Sequence, residues 1–212
     1  MLPDRTKTEH FDIRRKIVAN MTAESWHDVP HIAYMYEPDV TEFMGMVKKL
    51  NETPRPHKIT INTVMLKAVA EGLIAAPACN AHIEFNSRLV SGTIKRYKEI
   101  NISVPTIMPD TGAMMTINYR DIGTKSLDGI AQQGATAILE IVPPQVFTVC
   151  IGAVQKKPLV VTDDAGRDSI EVRMVLPMCL CFDHRALDFD EIVPFIKRLE
   201  AVFAHPEEIL KW

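Results

Sequence analysis

Hydrophobic residues in this 212-residue chain recur with two different periods, and the order of those periods limits the fold more than any other feature of the sequence. Ile13, Ile17 and Met21 fall at helical spacing, which predicts an amphipathic helix over about residues 12–26. His31–Glu37 alternates and reads as a strand. Val40, Phe43, Met44, Val47 and Leu50 mark a second helix with Asp39 as its cap, and Ile61, Met65, Ala68, Gly72 and Leu73 mark a third, more buried one closed by Pro77. Asn51–His57, rich in proline and polar residues, is a loop. From His82 to about Tyr119 the pattern becomes short strands, with turn signals at Asn86–Ser87, Ser91–Gly92 and Asp110–Gly112. Ser126–Gln133 is a short helix. Strands resume from Phe147 to Phe182, broken by a turn at Thr162–Arg167. Ile192, Ile196, Leu199 and Phe203 then form one face of a last helix. Pro194 fits there if the helix starts near Asp190, where first-turn amides have no partner to lose. Helices, then strands, then a helix point to a single α/β domain over residues 1–212: a two-layer sandwich on a mixed sheet rather than a regular βαβ alternation.

Composition narrows the function classes. Hydrophobic residues are 47% and charged residues 24%, enough to bury a core without staples. A net charge of −3 and a pI near 6.2 argue against a nucleic-acid surface or a polybasic membrane patch. No apolar run approaches a membrane span, and the polar stretch Met1–His10 does not read as a signal peptide. Cys79, Cys150, Cys179 and Cys181 lie in apolar stretches with no Cys-x-x-Cys spacing, so neither a zinc site nor a disulfide framework is suggested. A cytoplasmic, metal-free protein is the expectation.

Leu176–Asp188 carries the most chemistry. An apolar strand runs into Asp183-His184-Arg185, and Asp188 follows the histidine by four residues. A histidine at a strand end can offer one ring nitrogen to a substrate while a carbonyl or carboxylate fixes the other. An imidazole titrates near neutrality, which suits proton abstraction from a thiol or hydroxyl. Read from the residues alone, a structural histidine at a strand–helix junction remains open.

Pro177–Asp188 resembles the Pro-Leu-Ser-Leu-Ser-Tyr-Asp-His-Arg-x-x-Asp-Gly signature of the E2 acyltransferases of 2-oxo acid dehydrogenase complexes, itself related to the His-x-x-x-Asp-Gly of chloramphenicol acetyltransferases. Arg14–Met21, Val29–Ile32, Pro38–Glu42, Pro77–Ala81, Tyr97–Ile102, Lys125–Leu127 and Val142–Gln145 resemble further family segments in the same order. The resemblance implies a chloramphenicol-acetyltransferase-like fold that moves an acyl group between coenzyme A and a dihydrolipoyl thiol. It makes His184 the general base. It makes Asp188 a site-ordering aspartate paired to an arginine, with Arg14 the first candidate and Arg185 the next. It also implies a homotrimer with its sites between subunits, and a lipoyl group supplied in trans by another protein.

The chain departs from that pattern in three places. Phe189 stands where the family has glycine, which costs roughly 1–2 kcal/mol if the position requires positive φ. Cys179 and Cys181 replace two serines, and a Cys181–His184 nucleophilic pair is an alternative reading. Between Leu127 and Val142 the family's Thr-Ile-Ser-Asn-Leu-Gly strand, bearing an oxyanion-binding serine, has no counterpart; Thr136 and Thr148 are nearby hydroxyls outside that motif. A single catalytic domain without a lipoyl or subunit-binding domain is the expectation. Two functions compete on these grounds: a coenzyme A-dependent acyltransferase, whose acceptor is a lipoyl thiol or a small molecule, and a catalytically weak or inactive trimeric scaffold.

Overall fold

The computed structural model describes residues 10–107, 114–135 and 145–210. Its elements run α1 (Ile13–Asp28), β1 (His31–Tyr36), α2 (Thr41–Leu50), α3 (Ile61–Ala75), β2 (Ala81–Asn86), β3 (Ser91–Arg96), β4 (Ile102–Ile107), β5 (Met114–Tyr119), α4 (Leu127–Ala135), β6 (Phe147–Ile151), β7 (Gln155–Thr162), β8 (Asp168–Val175), β9 (Met178–Asp183) and α5 (Phe189–Ala204). Short 3-10 turns follow α3 at Pro77–Cys79, β5 at Ile122–Thr124 and α5 at Pro206–Leu210.

Against the expected mixed sheet, every ladder among the described residues is antiparallel. The central sheet has the order β1-β9-β6, and β2-β3, β4-β5 and β7-β8 are two-stranded. Side chains alternate along β9, so Met178, Leu180 and Phe182 face the helices and are buried. The helical layer lies on that face. Phe147 of β6 meets Phe195 of α5 edge-on at 4.9 Å, and Phe43 of α2 meets Phe203 of α5 at 5.2 Å. α3 and α5 approach closely because Gly72 lacks a side chain: a Cβ there would stand 2.6 Å from the Phe195 ring.

The charged groups inside this core have partners. Lys67 is fully buried on α3 and donates from Nζ to the carbonyls of Gly123 (3.3 Å) and Lys125 (3.0 Å), holding the turn after β5. Glu71, one turn on, takes Arg198 of α5 at 2.9 Å. Asp39 accepts from the Thr41 amide (2.9 Å) and hydroxyl (2.6 Å) with one oxygen and from Arg173 Nε (2.7 Å) with the other. It caps α2 one position earlier than the helix boundary and locks the β7-β8 hairpin onto it. Burial works to raise the Asp39 pKa, but the Thr41 and Arg173 hydrogen bonds outweigh it and hold the carboxyl below its ordinary value.

Two expectations change. α5 starts at Phe189, so Pro194 lies beyond the first turn and removes a ladder bond to the Asp190 carbonyl; the proline sits inside the helix, not in the partnerless opening turn. α1 forms as predicted, capped by Asp12, whose Oδ1 accepts from Arg15 N at 2.7 Å. Yet none of its described side chains is buried: Ile13, Ile17, Val18, Met21 and Trp26 are exposed, Trp26 by 78%.

Candidate active site

β9 ends at Asp183, and the chain turns sharply to α5 through His184–Asp188. Asp183 N donates to Val146 O (2.9 Å) and His184 N donates to Pro30 O (3.1 Å), so the sheet fixes the turn from both neighbours of β9. Asp183 is buried, and Arg185 grips it with Nε (3.0 Å) and Nη2 (2.7 Å). The Arg185 guanidinium also stands 5.3 Å from the centre of the Phe85 ring. Its own pKa is raised by the hydrogen bonds to Asp183, against the opposing effect of burial. A buried carboxylate needs such a partner.

His184 Nδ1 lies 3.0 Å from the carbonyl of Leu187 and 3.5 Å from Asp188 Oδ1. A carbonyl can only accept, so this contact assigns the proton to Nδ1 and leaves the lone pair on Nε2. The side chain is 46% exposed, which keeps the ring accessible, and Phe182 lies edge-on at 6.0 Å. The bond to Leu187 is what makes the turn useful: a tautomer is chosen by backbone, not by chance.

The sequence candidates divide. His184 and Asp188 come together. Arg185 does not reach Asp188 here; it serves Asp183 instead, because two residues along the strand end its guanidinium fits that buried carboxylate bidentately. Arg14 lies on α1, and its side chain is outside the described residues, as is Thr136. Asp188 precedes α5, where its negative charge favours the helix N-terminus, and its amide donates to Glu191 Oε2 at 3.1 Å. Phe189, at the family's glycine position, is an ordinary first helical residue. The positive-φ residues other than glycine are Val90 and Asp121 among the described residues, so the turn differs and the strain expected at Phe189 does not arise. No hydrogen bond joins Cys181 to His184 among the described residues. Burial, then the neighbouring Cys179 and Cys150, push the Cys181 thiol up, away from a nucleophile's range.

A cavity of about 1000 Å³ opens between α3, α4, β2, β4, β5 and β6. Its apolar wall includes Met65, Val69 and Ile130; its polar wall includes His82, Tyr97 and Ser103, with Thr148 at the β6 side. Burial, then Lys95, lowers the His82 pKa. The Ser103 hydroxyl is buried with no hydrogen-bond partner among the described residues. His184 does not line this cavity. The sequence singled out His184 but not Asp183 as the anchor of the turn, although an acid beside an arginine at the end of an apolar strand is a readable signal. The cavity left no such signal, because six separate elements build it.

With this geometry in place, comparison with known proteins assigns the class. A sequence profile of the 2-oxoacid dehydrogenases acyltransferase (catalytic domain) matches residues 3–140 and 133–211, and the chain belongs to that family. The dihydrolipoyllysine-residue acetyltransferase component of the pyruvate dehydrogenase complex of Corynebacterium glutamicum is 27% identical over 216 residues, covering 87% of this chain and 31% of its own length. Component 2 of the mitochondrial Arabidopsis thaliana complex is 24% identical, covering 98% of this chain and 43% of its own. The chain thus spans less than half the length of these relatives. A probable dihydrolipoamide acetyltransferase from Listeria monocytogenes superposes with a TM-score of 0.74 at 22% identity over 97% of this chain and 96% of that one. Chloramphenicol acetyltransferase follows at 0.53 and 12% identity, covering 91% and 96%. The expected chloramphenicol-acetyltransferase-like α/β fold is therefore the fold observed.

Proposed function

We propose that this chain is a coenzyme A-dependent acyltransferase domain, moving an acyl group between coenzyme A and a dihydrolipoyl thiol or a small-molecule acceptor. The observation that carries the reading is the His184 ring, with Nδ1 held by Leu187 O and nearly half its side chain open to solvent. In this role Nε2 takes the proton of the attacking thiol, and the Nδ1 contacts to Leu187 and Asp188 stabilise the imidazolium that results. Arg185 orders the site through Asp183; Arg14 is the candidate partner for Asp188. A relative of known structure, the dihydrolipoamide acetyltransferase of Azotobacter vinelandii, was studied for the catalytic roles of a serine, a histidine and an asparagine, the last two spaced as His184 and Asp188 are.

The working unit is a homotrimer that receives its lipoyl group from another protein. Two observations support it: His184 does not line the large cavity of its own chain, and Ile13, Ile17, Val18, Met21 and Trp26 of α1 stand exposed among the described residues. A structurally similar protein forms the cubic core of a pyruvate dehydrogenase complex.

The test follows free thiol released from acetyl-coenzyme A, with dihydrolipoamide, simple alcohols and amines as acceptors. His184→Ala should lower turnover by about 10²–10⁴-fold. A variant as fast as the parent makes the histidine structural. No turnover, together with no thermal shift from excess coenzyme A, would identify a scaffold, since a ligand bound to the native state must raise its stability. Light scattering that returns a monomer at micromolar concentration would remove the trimer.

A further inference from the structure

The remaining cluster of nucleophilic side chains lies on the face of the central sheet that points away from the helices. The β6-β9 register sets Cys150 directly opposite Cys179, and Cys181 opposite Thr148. Opposed residues of an antiparallel ladder project to the same side. Cys150, Cys179 and Cys181 therefore share one face, with buried Leu180 on the other. All three thiols are free. Cys150 is exposed and lines the large cavity; Cys179 and Cys181 are half-buried. No group of three or more histidine, cysteine or acidic residues among the described residues is placed to hold a metal ion, which leaves thiol–disulfide chemistry.

The ladder fixes the spacing of the pair. Asp183 N donates to Val146 O, and Gly152 N to Pro177 O, each bond joining directly opposed residues. Hydrogen-bonded and non-hydrogen-bonded pairs alternate along an antiparallel ladder, so Cys150–Cys179, an even number of steps from both, is a hydrogen-bonded pair with Cα atoms about 5.5 Å apart. That is the commonest Cα separation for a disulfide. The Cβ atoms, at roughly 5 Å, must close by about 1 Å, which strains the bond and makes it easily reduced.

We propose that Cys150 and Cys179 form a reversible dithiol–disulfide pair, oxidised by small disulfides of the glutathione class and reduced by vicinal dithiols. The Cys150 thiolate attacks one sulfur of the small disulfide, and the other leaves as a thiolate. Cys179 then attacks the Cys150 sulfur of the mixed disulfide, and the second small thiol departs. Two protein thiols lose two electrons and two protons, and one small disulfide becomes two thiols. Exposure makes Cys150 the entry point. Cys181, raised by burial and its neighbours, stays out, as does Cys79, whose thiol burial pushes up to about 12. The pair stands independently of the acyl-transfer reading.

The reduced full chain, incubated with excess glutathione disulfide, should lose two hydrogens by intact mass without dimerising, and dithiothreitol should restore them. Peptide mapping should link the segment holding Cys150 to the one holding Cys179 and Cys181. Cys181→Ser should keep that bond. Cys179→Ser, a near-isosteric change, should leave a glutathione adduct on Cys150 that never resolves, and Cys150→Ser should form no bond. Four thiols that stay free, an adduct that persists in the parent, a bond that needs Cys181, or cross-links between chains would each overturn the proposal.

Discussion

α1 and α5 are both 16 residues long and both were legible as helices, yet they stand at opposite ends of the packing range. α5 buries Ile192, Phe195, Ile196, Leu199, Val202 and Phe203, while α1 buries none of its described side chains. Apolar spacing states that a segment can form a helix with a sticky face. It does not state what the face will meet. For α5 the partner lies within the chain: α3, α2 and the inner face of β6 and β9. For α1 the described chain offers little beyond His31, whose ring stacks on Trp26 at 6.0 Å, and its aliphatic residues have value only against something else.

The contrast can be broken most directly by truncating one ring in each helix. Phe195→Ala should cost about 3–5 kcal/mol in urea unfolding, because it empties a fully buried site. Trp26→Ala should change the stability of the isolated chain by less than about 0.5 kcal/mol, and lower it more only where chains associate. A large loss from Trp26→Ala in a monomer would show that α1 packs on its own chain. Next in size, Gly72→Ala sets helix propensity against clash. The propensity gain is about 1 kcal/mol, but the new Cβ would press on an unyielding ring, which typically costs about 1–3 kcal/mol. A net loss is expected, and it should shrink in a Phe195→Leu background if that ring is its cause.

The caps sharpen the comparison with smaller effects. The Asp39 carboxyl is held below its ordinary value in the folded chain. Its stabilisation is thus present above the unfolded carboxyl pKa and is lost as pH falls through the lower folded one. Asp39→Asn should lower the urea midpoint near neutrality, and the gap from the parent should narrow in acid. The smallest effect belongs to Asp12→Ala. It should fray α1, seen as faster amide exchange over its first turn, with no measurable change in global unfolding, since α1 is not coupled to the core.

Much of the fold was readable because local chemistry decided it. Thr162–Arg167 joins β7 to β8, and the capping role of Asp39 survives although the helix begins two residues later. At the site, the strand ending in Asp-His-Arg was readable as a local pattern, and Asp188 came within 3.5 Å of the ring because a tight turn spans the three residues between. What stayed hidden depends on contacts between distant segments. Arg185 chose Asp183 over Asp188 because burial left Asp183 the more demanding partner. Cys150 met Cys179 only through strand register, which no cysteine spacing encodes. Pro194 lies inside α5, past the four partnerless opening amides, and apolar spacing does not encode where that opening turn falls.

The β1-β9 ladder has a consequence for how the chain is made. His31 faces Asp183 across it, so the centre of the sheet joins the chain's first strand to its last. At a synthesis rate of ~5–20 residues per second, β1 waits on the order of ten seconds after emerging from the ribosome before its partner exists. Through that interval α2 and α3 can form, but the strand edge they are meant to cover has nothing to pair with. Folding of the sheet therefore waits for β9 and has slow, non-local kinetics. The nascent chain presents His31–Tyr36 as an open edge, the segment on which a holding chaperone would act.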